Sequence, residues 1–149
     1  MNTDTSPKIL AFALWFAGLG AAGQFAKVGV IFDIVSQHYE GASKPLLGLL
    51  VSGVGFAGLI FGSTAGILIA RSGIKRIMVV ALLVAALFSF ADALLPSLYP
   101  FLGLRVLEGF SHLAIVVCGP VIIAEALEGK ERAFAMTLWD KRFGIQTRS

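Results

Sequence analysis

Cysteine occurs once in the 149 residues, as Cys118, so the chain can form no intrachain disulfide and no zinc site from thiolates. Histidine occurs twice, at His38 and His112, too few and too far apart to argue for a metal site. Asp, Glu, Lys and Arg make up only 14% of the chain, against about 25% in an ordinary soluble domain. The net charge of +3 comes from basic residues spread between apolar stretches rather than gathered on one face, which argues against a nucleic-acid partner. No Ser, Cys or carboxylate constellation stands at a useful spacing, and no glycine-rich loop is built to cradle a phosphate. Neither enzyme chemistry nor a cofactor is legible.

What is present is apolar. Apolar residues are 57% of the chain and mean hydropathy is +0.87. One soluble core of this size could not hide that much apolar surface, so a soluble helical bundle is a poor fit. A bilayer core of about 30 Å needs roughly 20 helical residues. Four stretches reach that length, at about 9–34, 46–70, 77–95 and 99–124. Only helices satisfy every backbone N–H and C=O across such lengths without water. The expected fold is an all-α integral membrane protein with four transmembrane helices, antiparallel neighbours and short links. Residues 1–139 form the membrane region, with a fifth helix starting at 133–139, and 140–149 form a polar tail. The first span is too long for a signal peptide and is retained.

The polar residues inside the spans are unevenly shared. In the first span Gln24 and Lys27 lie in one narrow sector at about 100° per residue. Lys27 either lines a pathway or joins an ion pair facing the fourth span near Glu108, or else it snorkels outward. In the fourth span Arg105, Glu108 and His112 fall within about 60° of one another, as a pathway or as an internally neutralised triad. The second span carries a ridge at Gly58, Gly62 and Gly66, either a packing surface or ordinary membrane-helix composition. The third span offers only Ser89 and Asp92 and is expected to face lipid. Cys118 reads as a small buried hydrophobe.

Two motifs carry a resemblance. Gly66, Leu68, Arg71, Gly73, Lys75 and Arg76 resemble the loop between helices two and three of the major facilitator superfamily, which runs Gly-x-Leu-Ala-Asp-Arg-x-Gly-Arg-Lys. Ala70 stands where that family has Asp, a carboxylate that helps lock its cytoplasmic gate. Arg105, Glu108 and Gly109 resemble the family's Arg-x-x-Gln/Glu-Gly motif. Pro120, Glu125, Glu131 and Arg132 are similar to the run into its fifth helix, so the likeness covers about 8–139.

The resemblance implies secondary transport of a small solute. In the family, helices one and four line the cavity, helix two packs near the other half and helix three lies outside. It implies a lipid bilayer, a small solute and, if the chain couples to them, protons as partners. Such transporters hold their site between two bundles across about twelve spans. Four spans and a polar end therefore lead to the expectation of a truncated fragment, inactive alone and lacking its other half. Two alternatives stand beside it. One is a homo-oligomeric four-helix transporter similar in plan to the small multidrug resistance family, which carries a glutamate in helix one where this chain has Gln24 and Lys27. The other is a membrane assembly partner that transports nothing.

Nine of the twelve Lys and Arg fall on one side if the N-terminus is cytoplasmic, and only Lys44 falls in an opposite loop. The expectation is a multi-pass protein of the inner or plasma membrane with both termini cytoplasmic. Reporter fusions at Ser149 and Ala42 test it. Ser149 should report inside and Ala42 outside, and the same side for both would mean that a span is misread.

Overall fold

The computed structural model describes residues 6–94 and 97–141, less the side chains of residues 68 and 70–72. Leu95 and Pro96, at the expected end of the third span, and most of the expected tail lie outside the described residues. Seven helices follow one another: α1 (Pro7–Val30), α2 (Phe32–His38), α3 (Lys44–Ser52), α4 (Gly55–Ser72), α5 (Ile74–Ala93), α6 (Leu98–Ala126) and α7 (Gly129–Lys141). Four membrane-length apolar segments emerge, at Pro7–Val30, Lys44–Ile67, Ile74–Ala93 and Leu98–Ala126.

Local chemistry explains most of the boundaries. Pro7 opens α1 and Pro45 lies in the first turn of α3, positions where a missing N–H costs no helical bond. Gly73 separates α4 from α5 at φ +86°, a left-handed conformation that an L side chain strains to adopt. The first expected span is divided at Ile31, and the second at Gly53 and Val54. Asp140 and Lys141 continue α7 rather than starting a tail.

Helix α6 is the centre of the bundle, with α1, α4, α5 and α7 all packed on it. Two apolar clusters form around it. One joins Ala11, Leu14 and Ala21 of α1 to Ile115, Cys118 and Ile122 of α6, together with Ala81, Ala85 and Trp139. The other gathers Val28, Val35, Leu47, Leu50 and Phe101. The outer surface is apolar as well, with Leu59, Val30, Phe90, Leu83 and Leu87 each more than half exposed. Arg105, Glu108, Asp92, Gln24 and Ser111 are buried. Polar inside and apolar outside suits lipid and would be untenable in water.

The tight helix crossings fall at Gly109 and Gly119. A Cβ at Gly109 would overlap the Val54 carbonyl, and one at Gly119 would overlap the Trp139 ring. Gly58, Gly62 and Gly66 instead are exposed on α4, and beyond its chain neighbours and its own helix backbone a Cβ built on any of them would meet no described atom within 4 Å. Among the described residues the buried positions of α4 are Ala57, Ala65 and Ile69, and Val54 is buried just before the helix begins.

Gly109→Val should therefore lower stability in detergent by about 1–3 kcal/mol or more, because the nearest obstacle is backbone. Gly62→Ala should be neutral or slightly stabilising, since Ala is the better helix former. Thermal unfolding of the purified protein followed by circular dichroism distinguishes the two. Equal losses would show that the exposed ridge is packed.

Candidate functional site

Between the two apolar clusters α1, α5 and α6 turn polar residues toward one another. On α1, Gln24 and Lys27 are three apart and share the face turned to α6. On α5, Ser89 and Asp92 have the same spacing. On α6, Arg105, Glu108 and His112 continue it at three and four. Arg105 lies seven residues into α6, roughly 10 Å from its start.

Lys27 connects the three helices. Its Nζ lies 2.7 Å from Glu108 Oε1 and 2.7 Å from Asp92 Oδ2, and it donates to Ser89 Oγ at 3.1 Å. Ser89 in turn donates to Glu108 Oε1 at 2.8 Å. Arg105 pairs through Nη1 with Glu108 Oε2 and stands 3.8 Å from Asp92 Oδ2. The ammonium is thus turned inward, not snorkelled. Two cations and two carboxylates make a cluster with no net formal charge. Arg105 and Glu108 are fully buried, and Lys27 keeps 28% of its side chain exposed.

Backbone carbonyls supply what the carboxylates do not. Arg105 Nε donates to the Leu50 carbonyl at 2.8 Å, and Nη1 donates to the Gln24 carbonyl at 3.0 Å. In an unbroken helix the Leu50 carbonyl would serve Val54. Here α3 ends at Ser52 and α4 begins at Gly55, so the guanidinium is bonded beside the interruption. Gly53 lets the chain come close, since its Cβ would stand 3.1 Å from Arg105 Cβ. His112 Nδ1 lies 2.9 Å from the Ala21 carbonyl, which can only accept, so Nδ1 carries a proton.

The third span keeps the outward apolar face expected of it, at Leu83, Leu87 and Phe90, but its Ser89 and Asp92 turn inward. Asp92 is 5% exposed and belongs to the cluster. The signal was the spacing of Ser89 and Asp92 on one face of an otherwise apolar helix. Beyond the spans, burial pushes the Tyr39 phenol above its ordinary value, and the Asp92 carboxylate adds to the shift.

Two cavities adjoin the cluster. One of about 270 Å³ is lined by Lys27, Ser89 and Asp92 with Val28, Ile31, Ala93 and Phe101. The other, about 190 Å³, is lined by Gln24 and Ser89 with Gly20, Leu82, Ala85, Ala86 and Ile115. Ser89 borders both.

The loop motif lies at the other end of the bundle. Gly66 is on α4, Gly73 makes the turn, and Lys75 and Arg76 are exposed in the first turn of α5. The side chains of Leu68, Ala70 and Arg71 lie outside the described part.

A polar cluster buried in a helical membrane bundle, with a glycine turn between its second and third spans, agrees with what comparison with known proteins finds. The family model described as Major Facilitator Superfamily matches residues 9–140. No curated protein and no solved structure matches the chain. The matched region runs from the first turn of α1 to the last of α7, and the chain belongs to the major facilitator superfamily.

Proposed function

We propose that this chain forms one helix bundle of a secondary transporter for a small solute. The path runs along α1 and α6, where Gln24, Lys27, Arg105, Glu108 and His112 are turned inward. The observation that carries this reading is the buried cluster of four charges. Ionisable groups inside a membrane are expensive, and they persist where they serve a solute, an ion or one another. The bundle works only opposite a second bundle, because alternating access needs two bodies that rock around a shared site. The exposed ridge of α4 at Gly58, Gly62 and Gly66 is the seat for that second body, since small residues let helix backbones approach.

Both termini lie in the cytoplasm. Lys75 and Arg76 occupy the first turn of α5, where the helix dipole disfavours cations by about 0.3–1 kcal/mol each. Local helix stability does not account for them, whereas cytoplasmic anchoring does. At the neighbouring position Ala70 leaves the gate without the carboxylate that the family's loop pattern provides.

Stability and transport separate the roles of the cluster. Lys27→Met should destabilise the protein by about 3–5 kcal/mol, because it leaves a buried negative charge in excess. Lys27→Met with Asp92→Asn keeps the Arg105–Glu108 pair and restores balance, so it should recover much of the loss in thermal unfolding. In liposomes the chain alone should give no saturable, gradient-driven uptake of candidate solutes. Uptake by the chain alone, abolished by Arg105→Ala, would overturn the need for a second bundle. A double variant as unstable as the single one would overturn the charge-balance account.

A further inference from the structure

The two carboxylates of the cluster are not held alike. Glu108 is fully buried and receives three donors: Lys27 and Ser89 on Oε1, and Arg105 on Oε2. Asp92 has the Lys27 ammonium as an ion pair 2.7 Å from Oδ2 and the Arg105 guanidinium only at 3.8 Å, and neither of its oxygens is met in hydrogen-bond geometry by the described residues. Asp92 also borders the cavity of about 270 Å³.

Other buried polar atoms nearby are also unmatched. Gln24 is 5% exposed, and neither its Oε1 nor its Nε2 has a partner among the described residues. It lines the cavity of about 190 Å³. Arg105 Nη2 is likewise without one. Buried polar groups in folded proteins are almost always satisfied, by protein or by water. A buried water needs a space of about one molecule and two to four polar partners. Both cavities exceed that size. Gln24 and Ser89 face one, and Lys27, Ser89 and Asp92 face the other, with the Ser89 hydroxyl common to both.

We propose that Asp92 is the proton-exchanging carboxylate of the cluster, reached by water held in these two cavities. The proposal rests on the transport reading and names the coupling ion as the proton. In the step a water-borne proton bonds to an Asp92 carboxylate oxygen and the donor becomes neutral water. Lys27 keeps Glu108 and Ser89 as partners, so the cluster moves from no net charge to +1. Release reverses the step. The groups that set the balance are Lys27 from α1, Arg105 and Glu108 from α6, and the Tyr39 phenol from the link after α2, which feels the Asp92 charge. Ser89 lies one turn away on the same helix and donates to Glu108. Three donors engage Glu108, whereas Asp92 gives up one ion pair to take a proton.

Infrared difference spectroscopy of the full chain in detergent tests this without any solute, so it can fail while the transport reading stands. Spectra are recorded as pH is lowered for the wild type, Asp92→Asn and Glu108→Gln. Surface carboxyls contribute alike to all three and cancel in pairwise subtraction. The expected result is a protonated carboxylic acid band that is missing in Asp92→Asn and retained in Glu108→Gln. In heavy water it should shift promptly, because water reaches the group. A band missing in Glu108→Gln instead, or identical bands in all three proteins, would overturn the proposal. Should Asp92→Asn fail to fold, Asp92→Glu keeps the carboxylate, and its acid band should appear at a displaced frequency. An undisplaced band would overturn the assignment.

Discussion

Four formal charges withdrawn from water where α1, α5 and α6 meet set the conditions for the helices around them. Each charge alone in such a place is costly by several kcal/mol, and together they are tolerable because each finds its opposite within a few ångströms. The Lys27 ammonium reaches Glu108 and Asp92 at once, so three helices are tied through one side chain. An apolar side chain at position 27 would pack, but it would leave two carboxylates facing one guanidinium.

The requirement extends into the backbone. Arg105 has more donors than the two carboxylates absorb, and it takes the carbonyls of Gln24 and Leu50 in addition. The Leu50 carbonyl lies one turn before Val54, where the second span is interrupted between α3 and α4. Gly53 and Gly109 then provide the close approach at that crossing, each clearing a path that a side chain would block. The discontinuity of one helix, the glycine of another and the guanidinium between them make one arrangement.

Apolar packing surrounds the cluster on both sides. Along α1 the core residue Ala21 precedes Gln24 and Lys27, and Val28 follows them; along α6 Phe101 precedes Arg105 and Ile115 follows Glu108. These layers keep the dielectric low and so strengthen every pairing between them. The same low dielectric makes unpartnered atoms such as those of Gln24 conspicuous, and it is why the cavities beside them matter.

Much of this was readable from sequence. Length and hydropathy required membrane helices, because no other use of so apolar a chain satisfies its backbone. Helical periodicity alone placed Gln24 with Lys27, and Arg105 with Glu108 and His112, on shared faces. The loop residues from Gly66 to Arg76 and the Arg105, Glu108 and Gly109 pattern pointed to the family whose model matches residues 9–140. Periodicity, however, describes one helix at a time. It could not say which face of α5 meets α6, and so Asp92 read as a polar residue near a helix end. It could not show that Ala57 and Ala65 of α4 are buried while Gly58 and Gly62 stay exposed. Nor could it place the Leu50 carbonyl beside Arg105, 55 residues later in the chain. Sequence by itself determined that these helices span and which of their faces are polar, since both follow from local spacing and solvent. Only the tertiary structure decided which polar face meets which, because that depends on helix rotation and register, set by side chains far apart along the chain.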